Sequence, residues 1–177
     1  MGLFLAMSGL KGVSRARLEE SLAAYARDNG MSFSPTSADP SNVDVLTIRS
    51  ERLAHTVLYP GHFMEWDAVS AFLSIALRTT VVSMHIHDGD LWMYVLYVDG
   101  KVVDRFNPDP EYWGELSDEE RESWSGNAEL FASHWDGLHA ADVSRYVPRG
   151  IRTIRIRRRR IRTTSFPWEV TGRSSTS

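Results

Sequence analysis

The sequence predicts an α+β fold, a ferredoxin-like split βαβ unit (β-α-β-β-α-β) with two extra antiparallel strands and short C-terminal helices. Helical periodicity over residues 15–28 and 63–78 alternates with strand-like segments in the order that this unit requires. Two Asp-Gly pairs, at positions 88–89 and 99–100, predict two consecutive tight hairpins. A hydrophobic share of 42%, with 11% aromatic residues, is sufficient for a packed core.

The elements follow one another without long gaps up to residue 106. Ser14 predicts the start of the first helix and Asn29-Gly30 its end. The predicted elements are a strand over 2–8, a helix over 15–28, strands over 43–49 and 53–59 joined across Ser50-Glu51, a helix over 63–78, and strands over 80–87, 90–98 and 101–106. Asn107-Pro108 ends the sheet, because proline cannot continue a central ladder. Short helices follow, one from the capping box 117–120 and two over 127–135 and 140–146.

The charge distribution divides the chain into an acidic domain and a basic tail. Residues 1–148 carry 11 Lys and Arg against 22 Asp and Glu, whereas residues 149–177 carry nine Arg and one acid. We predict a single α+β domain over 1–147 and an Arg-rich tail over 148–177 that is disordered at its end. The absence of cysteine excludes disulfides and thiolate metal sites. No segment approaches the roughly 20 apolar residues of a membrane span, so a cytoplasmic protein with no membrane partner is expected.

Two-residue turns at the Asp-Gly pairs fix a predicted register for the three hairpin strands. His85 would then face Trp92, and Tyr94 would face both Ser83 and Arg105. Directly paired residues share a sheet face, so these five side chains are expected to lie together. The opposite face, predicted to pack under both helices, consists of Val82, Met84, Ile86, Leu91, Met93, Val95, Tyr97, Val102, Asp104 and Phe106. The mixed polar and aromatic face would be left open.

An acid-rich segment follows these strands and predicts an interaction surface. Residues 104–122 carry eight acids against two arginines, and Tyr112 and Trp113 lie among them. Aromatic anchors with an acidic rim give desolvated contact area and fast electrostatic encounter with a basic partner. The ordinary alternative for such a charge run is a solvated face, and another is docking of the chain's own tail. The predicted partner-binding residues are Ser83, His85, Trp92, Tyr94, Arg105, Tyr112 and Trp113.

A divalent metal site is the alternative prediction for the first hairpin. His85 and His87 alternate on a strand and so share a face, and Asp90 would lie opposite His87. Two imidazoles and a carboxylate suit a first-row divalent metal, and a metal-dependent enzyme would follow. The alternative is a stacked His85/Trp92 pair beside a His87/Asp90 ion pair. No nucleophile elbow, GxGxxG or Walker-type loop is present, so no other catalytic motif and no organic cofactor is predicted.

The tail predicts a third function, nucleic-acid binding, because guanidinium groups bind phosphates in a bidentate manner. The predicted phosphate-binding residues are Arg152, Arg155, Arg157, Arg158, Arg159, Arg160 and Arg162. Arginine runs also occur as solvated chain ends or localisation signals, and both alternatives remain open.

The block HIHDGDLWMYVLYVDGKVVDRFNPDPEYW, with the MGLFLAMSG start and the helix PGHFMEWDAVSAFLS, resembles a family of small bacterial proteins. The resemblance covers residues 1–147, leaves out the Arg-rich tail, and implies no activity that transfers to particular residues. The leading prediction is therefore a non-catalytic protein-interaction module that binds its partner through the open sheet face and the acidic rim. Bacterial immunity and antitoxin proteins have this general character, by analogy only.

Overall fold

The computed structural model describes residues 2–36, 45–89 and 91–147 of the 177-residue chain. They form an α+β structure with one six-stranded antiparallel sheet in the order β2-β3-β1-β4-β5-β6. Its elements are β1 (Leu5–Lys11), α1 (Arg15–Asp28), β2 (Thr47–Glu51), β3 (Ala54–Leu58), α2 (Trp66–Leu77), β4 (Val81–His87), β5 (Leu91–Val98), β6 (Lys101–Phe106), α3 (Asp118–Glu122), α4 (Ala128–Ser133) and α5 (Ala140–Val143). Beyond β4 the sheet is two strands longer than a simple split βαβ sheet.

Local sequence signals explain where several helices begin and end. The Ser14 hydroxyl accepts a hydrogen bond from the Arg17 amide, and α1 has the bounds that the sequence predicts. Ser117 and Glu120 form the predicted capping box of α3. The last turn of α2 closes on Arg78 in the left-handed conformation, with φ 51°.

Strand β1 runs three residues later than predicted, because a serine that looks like a strand end is buried inside the sheet. Ser8 is fully buried, and its Oγ lies 2.6 Å from the Tyr59 hydroxyl and 2.6 Å from the Ser70 Oγ. These partners satisfy the hydroxyl, so the strand continues to Lys11. The β2–β3 hairpin likewise turns at Arg52-Leu53, not at Ser50-Glu51, since Glu51 pairs with Ala54.

The predicted register between β4 and β5 is wrong by one residue. His87 pairs with Leu91, so three residues separate the paired positions instead of two. His85 consequently faces Met93, and Trp92 faces Ile86. A one-residue shift exchanges the two faces of a strand. Ser83, His85 and His87 therefore lie on the α1/α2 side of the sheet, and Val82, Met84 and Ile86 on the other.

The second hairpin has the predicted two-residue turn but then departs from the predicted register. Val98 pairs with Lys101 across Asp99-Gly100, as expected. A bulge between Leu96 and Tyr97 then makes Leu96 pair with Asp104, not Val103. Arg105 now faces Val95, and Phe106 faces Tyr94, so both lie on the sides opposite to those predicted.

Over β4, β5 and β6 the described helices lie on both sides of the sheet, so the face that was predicted to be open is covered there. One core lies under α1 and α2 and includes Leu18, Leu73 and Val81. A second core lies under the C-terminal helices and consists of Val82, Tyr94, Leu96, Phe106, Ala128, Val143 and Val147, with Met84, Trp92, Val103, Phe131, Trp135 and Leu138 packed against it. The C-terminal helices thus shield the side chains of Trp92 and Tyr94. In the described ranges no helix is both long and apolar enough to cross a bilayer.

Candidate functional site

Three aromatic rings contact the His87 ring at one end of the sheet. The His87 ring centroid lies 4.8 Å from that of Phe4, 5.5 Å from Tyr112 and 5.4 Å from Trp113. All three contacts are edge-to-face, with interplanar angles between 69° and 89°. We call Phe4, His87, Tyr112 and Trp113 the His87 patch. Two of its members, Tyr112 and Trp113, are among the partner-binding residues predicted from the sequence.

Strand pairing and one loop hydrogen bond place Phe4 on His87. Leu5 pairs with Ile86 on β4, so Phe4 comes next to His87 in the same register. The amide of Gly89 donates to the carbonyl oxygen of Leu3 at 2.9 Å, which fastens the chain before β1 to the β4–β5 turn. The position of Phe4 therefore follows from backbone geometry.

Two consecutive turns carry Tyr112 and Trp113 from the end of β6 back over β4. The Tyr112 amide donates to the Asp109 carbonyl oxygen, and the Gly114 amide donates to that of Glu111, both at 3.1 Å. At the start of this segment the Asn107 amide donates to the Trp124 carbonyl oxygen at 2.9 Å. The segment is thus tied to the C-terminal layer while its two aromatic rings contact His87.

The His87 patch is exposed even though its rings contact one another. Phe4 is 51% exposed, Tyr112 42% and Trp113 56%. Large aromatic side chains grouped at this exposure are typical of interaction sites, whereas single exposed apolar residues are ordinary. The grouping makes this surface the candidate functional site.

Acidic residues lie next to the members of the patch in the sequence. Asp88, Asp109, Glu111 and Glu115 are all exposed, and residues 107–120 contain six acids and no lysine or arginine. One cation reaches this segment from α3. Arg121 donates to Glu111 at 2.8 Å and to Asp118 at 2.5 Å, and its hydrogen bond holds the pKa of Glu111 below the ordinary range. The predicted acidic rim therefore includes direct sequence neighbours of His87 and Tyr112, namely Asp88 and Glu111.

His85 continues the aromatic contacts inward from the patch. Its ring lies 5.9 Å from His87 and 4.5 Å from Trp66 at the start of α2. Burial and the neighbouring His87 lower the pKa of His85 below its ordinary value of 6.5. Ser83, one residue pair further in, is 2% exposed and donates to Asp67 at 2.6 Å. His85 thus packs between His87 of the patch and Trp66 of α2. The hydroxyl of Ser83 is used in its hydrogen bond to Asp67.

The remaining predicted partner-binding residues do not join the patch. Tyr94 is 3% exposed, and Trp92 packs into the second core with its ring 5.0 Å from Phe106. Arg105 lies at the edge strand, where its guanidinium stacks 4.6 Å from the Trp124 ring and bonds to Ser123. These positions follow from the register shifts and the second helical layer.

The metal prediction rests partly on Asp90, which lies outside the described residues. His85 and His87 do share a face, as predicted, but their rings contact aromatic neighbours. Among the described residues no three His, Asp or Glu side chains are grouped closely enough to hold an ion. The metal site stays a prediction, as does the phosphate-binding role of Arg152–Arg162, since the tail also falls outside the described ranges.

A cavity of about 990 Å³ lies between α1, the 30–36 segment and the β2–β3 hairpin. Two polar side chains that line it, Tyr25 and Arg15, form hydrogen bonds within the protein. Tyr25 donates to Glu65 at 2.9 Å, and its pKa is raised to about 12 mainly by burial; Arg15 donates to Glu19 at 2.7 Å. The wall is otherwise largely apolar, with Phe33 and Ile48 packed against the first core.

Comparison with known proteins gives no relative. No protein-family model matches the chain, and no curated protein and no solved structure is significantly similar to it. The resemblance to small bacterial proteins stays a prediction. Functional inference therefore rests on the geometry of the His87 patch and on its charge.

Sequence reasoning missed two contributors to the site, Phe4 and Trp66. Phe4 looks like an ordinary strand residue, and only the pairing of β1 with β4 brings it to His87. Trp66 looks like one more residue of the apolar helix face, yet it stacks on His85. The sequence signal that was available is the apolar run GLFLA, which begins three residues before β1.

Proposed function

We propose that the protein is a non-catalytic interaction module that binds a basic partner protein through the His87 patch and the acids around it. The single observation that supports this function is the grouping of Phe4, Tyr112 and Trp113 around His87 at about half exposure. Aromatic residues at the centre of a contact and charges at its rim are the usual composition of protein interfaces.

The acids give the proposed partner its chemistry. Six acids and no basic residue in 107–120 create a negative rim, and Arg121 neutralises only part of it. A partner segment with lysine or arginine would be attracted electrostatically and would stack its alkyl or guanidinium groups on Trp113 and Tyr112. In this proposal, none of the residues of this chain in the contact has a catalytic role.

The test compares three chains as bait in cells that contain the partner. Wild type and Tyr146→Ala should retain a common protein that the double variant Tyr112→Ala/Trp113→Ala loses. Tyr146 is the matched control because it is an aromatic residue that is 67% exposed and lies outside the patch. Titration of the retained protein should then show at least about a tenfold weaker Kd for the double variant, since hot-spot truncations cost that much or more.

Two results would contradict the proposal. One is an identical set of retained proteins for all three chains. The other is an equal Kd for wild type and the double variant, with both folded by circular dichroism. The cytoplasmic location predicted from composition is part of the same proposal, and fractionation of the producing cells tests it.

We also infer that β1–β4 with α1 and α2 form a ferredoxin-like split βαβ unit. The order β2-β3-β1-β4, antiparallel at every step, and the two helices that follow β1 and β3 support this inference. On this view β5, β6 and the C-terminal helices are additions to one edge and one face.

Nucleic-acid binding by the tail is the second candidate function. Nine arginines among residues 149–177 favour it, because cation–phosphate contacts release counterions. Replacing Arg157, Arg158, Arg159 and Arg160 with serine should reduce the salt dependence of retention on RNA or DNA by about four counterions at most. An unchanged salt slope would exclude these residues.

A further inference from the structure

We propose that the arginines of residues 149–162 bind the His87 patch of the same chain, so that a basic partner must displace them. The inference rests on the proposed function, because the tail and the partner would use the same surface. The features that support it are the charge and exposure of the patch, the place where the described chain ends, and the length of tail available.

The charges of the two segments are complementary. Two members of the patch, Tyr112 and Trp113, lie in a segment with six acids and no lysine or arginine, and the tail carries nine arginines against one acid. Within the described residues, Asp88, Asp109 and Glu115 form no ion pair. In the proposed contact, guanidinium groups of the tail would pair with these carboxylates.

The aromatic rings suit the same side chain. Arg105 already stacks on Trp124 at 4.6 Å in this protein, and Lys11 lies over Trp135 at 5.5 Å. Trp113 is 56% exposed and has no such cation among the described residues. A guanidinium on Trp113 with a carboxylate beside it would combine a cation–π contact with an ion pair.

The tail begins close enough to reach. Val147 packs in the second core with Phe106, and Phe106 immediately precedes the segment that carries Tyr112 and Trp113. Two strand spacings and one layer separate β6 from the far side of the patch, on the order of 20 Å. The ten residues from Val147 to Arg157 extend to roughly 33 Å, so the arginine run reaches the patch without strain.

The tether also makes a weak contact effective. An intramolecular connection of about ten residues gives an effective concentration on the order of millimolar, so a millimolar contact would occupy the patch for about half of the time. A partner in solution would have to exceed that local concentration or bind more tightly. The tail would thereby set a threshold for partner binding.

Hydroxyl-radical labelling of the full chain tests the proposal. In the variant Arg157→Ser/Arg158→Ser/Arg159→Ser/Arg160→Ser, Trp113 and Tyr112 should label at least about twofold faster than in wild type. Leu53 is the internal standard, because it is 54% exposed and lies at the β2–β3 turn, at the opposite end of β1 from Phe4. The patch-side variant Asp109→Asn/Glu115→Gln should give the same increase with the tail intact.

Equal labelling of Trp113 in wild type and both variants, at low salt, would overturn the proposal. Protection that grows with protein concentration would also overturn it, because the tail would then bind a second copy. Neither result contradicts the proposed function if the Tyr112→Ala/Trp113→Ala variant still fails to bind the partner. Loss of the proposed function alone would leave the labelling difference in place, so the two failures are distinguishable.

Discussion

The hydroxyl of Tyr94 on β5 donates a 2.6 Å hydrogen bond to Oδ2 of Asp104 on β6, inside the second core. The same carboxylate accepts the amide of Asn127 at 3.1 and 3.2 Å through its two oxygens. Asn127 caps α4, because its side-chain oxygen accepts hydrogen bonds from the backbone amides of Glu129 and Leu130. The buried side chains of Tyr94 and Asp104 thus connect the sheet to the start of α4.

Tyr94→Phe should destabilise the protein by about 1–3 kcal/mol, because the largely buried Asp104 carboxylate loses a hydrogen-bond donor. Chemical denaturation followed by circular dichroism measures the change. Tyr146→Phe is the matched control and should leave the midpoint unchanged, since Tyr146 is 67% exposed. Equal midpoints for the two variants would show that the Tyr94–Asp104 bond does not stabilise the fold.

The stability of the protein should depend on pH through Asp104. Burial raises the pKa of this carboxyl above its ordinary value of 3.8, despite the hydrogen bonds that oppose the shift. The folded state then binds the proton more tightly than the unfolded state does, so this contribution is complete below pH 3.8 and is lost as pH rises through the folded pKa. Asp104→Asn should lack that loss. Parallel curves of unfolding free energy against pH for the two proteins would refute the prediction.

Gly126→Ala should disturb the C-terminal layer. Gly126 has φ +69°, and an added Cβ would lie 2.6 Å from Val147 Cγ1 and 3.0 Å from Phe106 Cβ. Gly137→Ala is the control, because Gly137 has φ +79° but no atom of the described part of the chain lies within 4 Å of the added carbon. Backbone strain is common to both, so Gly126→Ala should cost about 1–3 kcal/mol more in thermal or chemical unfolding. Equal losses would mean that the two contacts relax freely.

Arg121→Ala should loosen the segment that carries the patch without unfolding the protein. Arg121 connects α3 to Glu111, one residue before Tyr112, and surface ion pairs of this kind add little to global stability. Amide exchange at residues 111–116 should therefore quicken while the global denaturation midpoint stays near that of wild type. Arg145→Ala, an exposed arginine of the C-terminal layer, should alter neither measurement.

Local signals predicted helices better than they predicted strand pairing. The Ser14 cap and the capping box at Ser117 act within one turn, so the sequence alone determines them. Register depends on the number of residues in a turn, and Asp88-Gly89 reads as a two-residue turn although His87 pairs with Leu91. One extra residue moved Ser83, His85 and His87 to the other face of the sheet.

The candidate site was predicted only where its members lie close in sequence. Tyr112, Trp113 and the acids share one segment, and the sequence identifies them as anchors with a rim. The sequence did not predict that the C-terminal helices cover Trp92 and Tyr94, because these helices were predicted without assigning the sheet face on which they pack. Their apolar residues at helical spacing carried the signal, since such residues need a surface to cover them.

At the bulge, Val103 of β6 has no paired residue on β5. Removing Val103 would let Leu96 keep Asp104 as its partner, with Arg105 and Phe106 still on their present sides. Loss of a residue elsewhere within a regular ladder would instead move every following side chain of that strand to the opposite face of the sheet. Among the described strands, position 103 is therefore where deletion of one residue leaves the pairing of the rest of β6 with β5 unchanged.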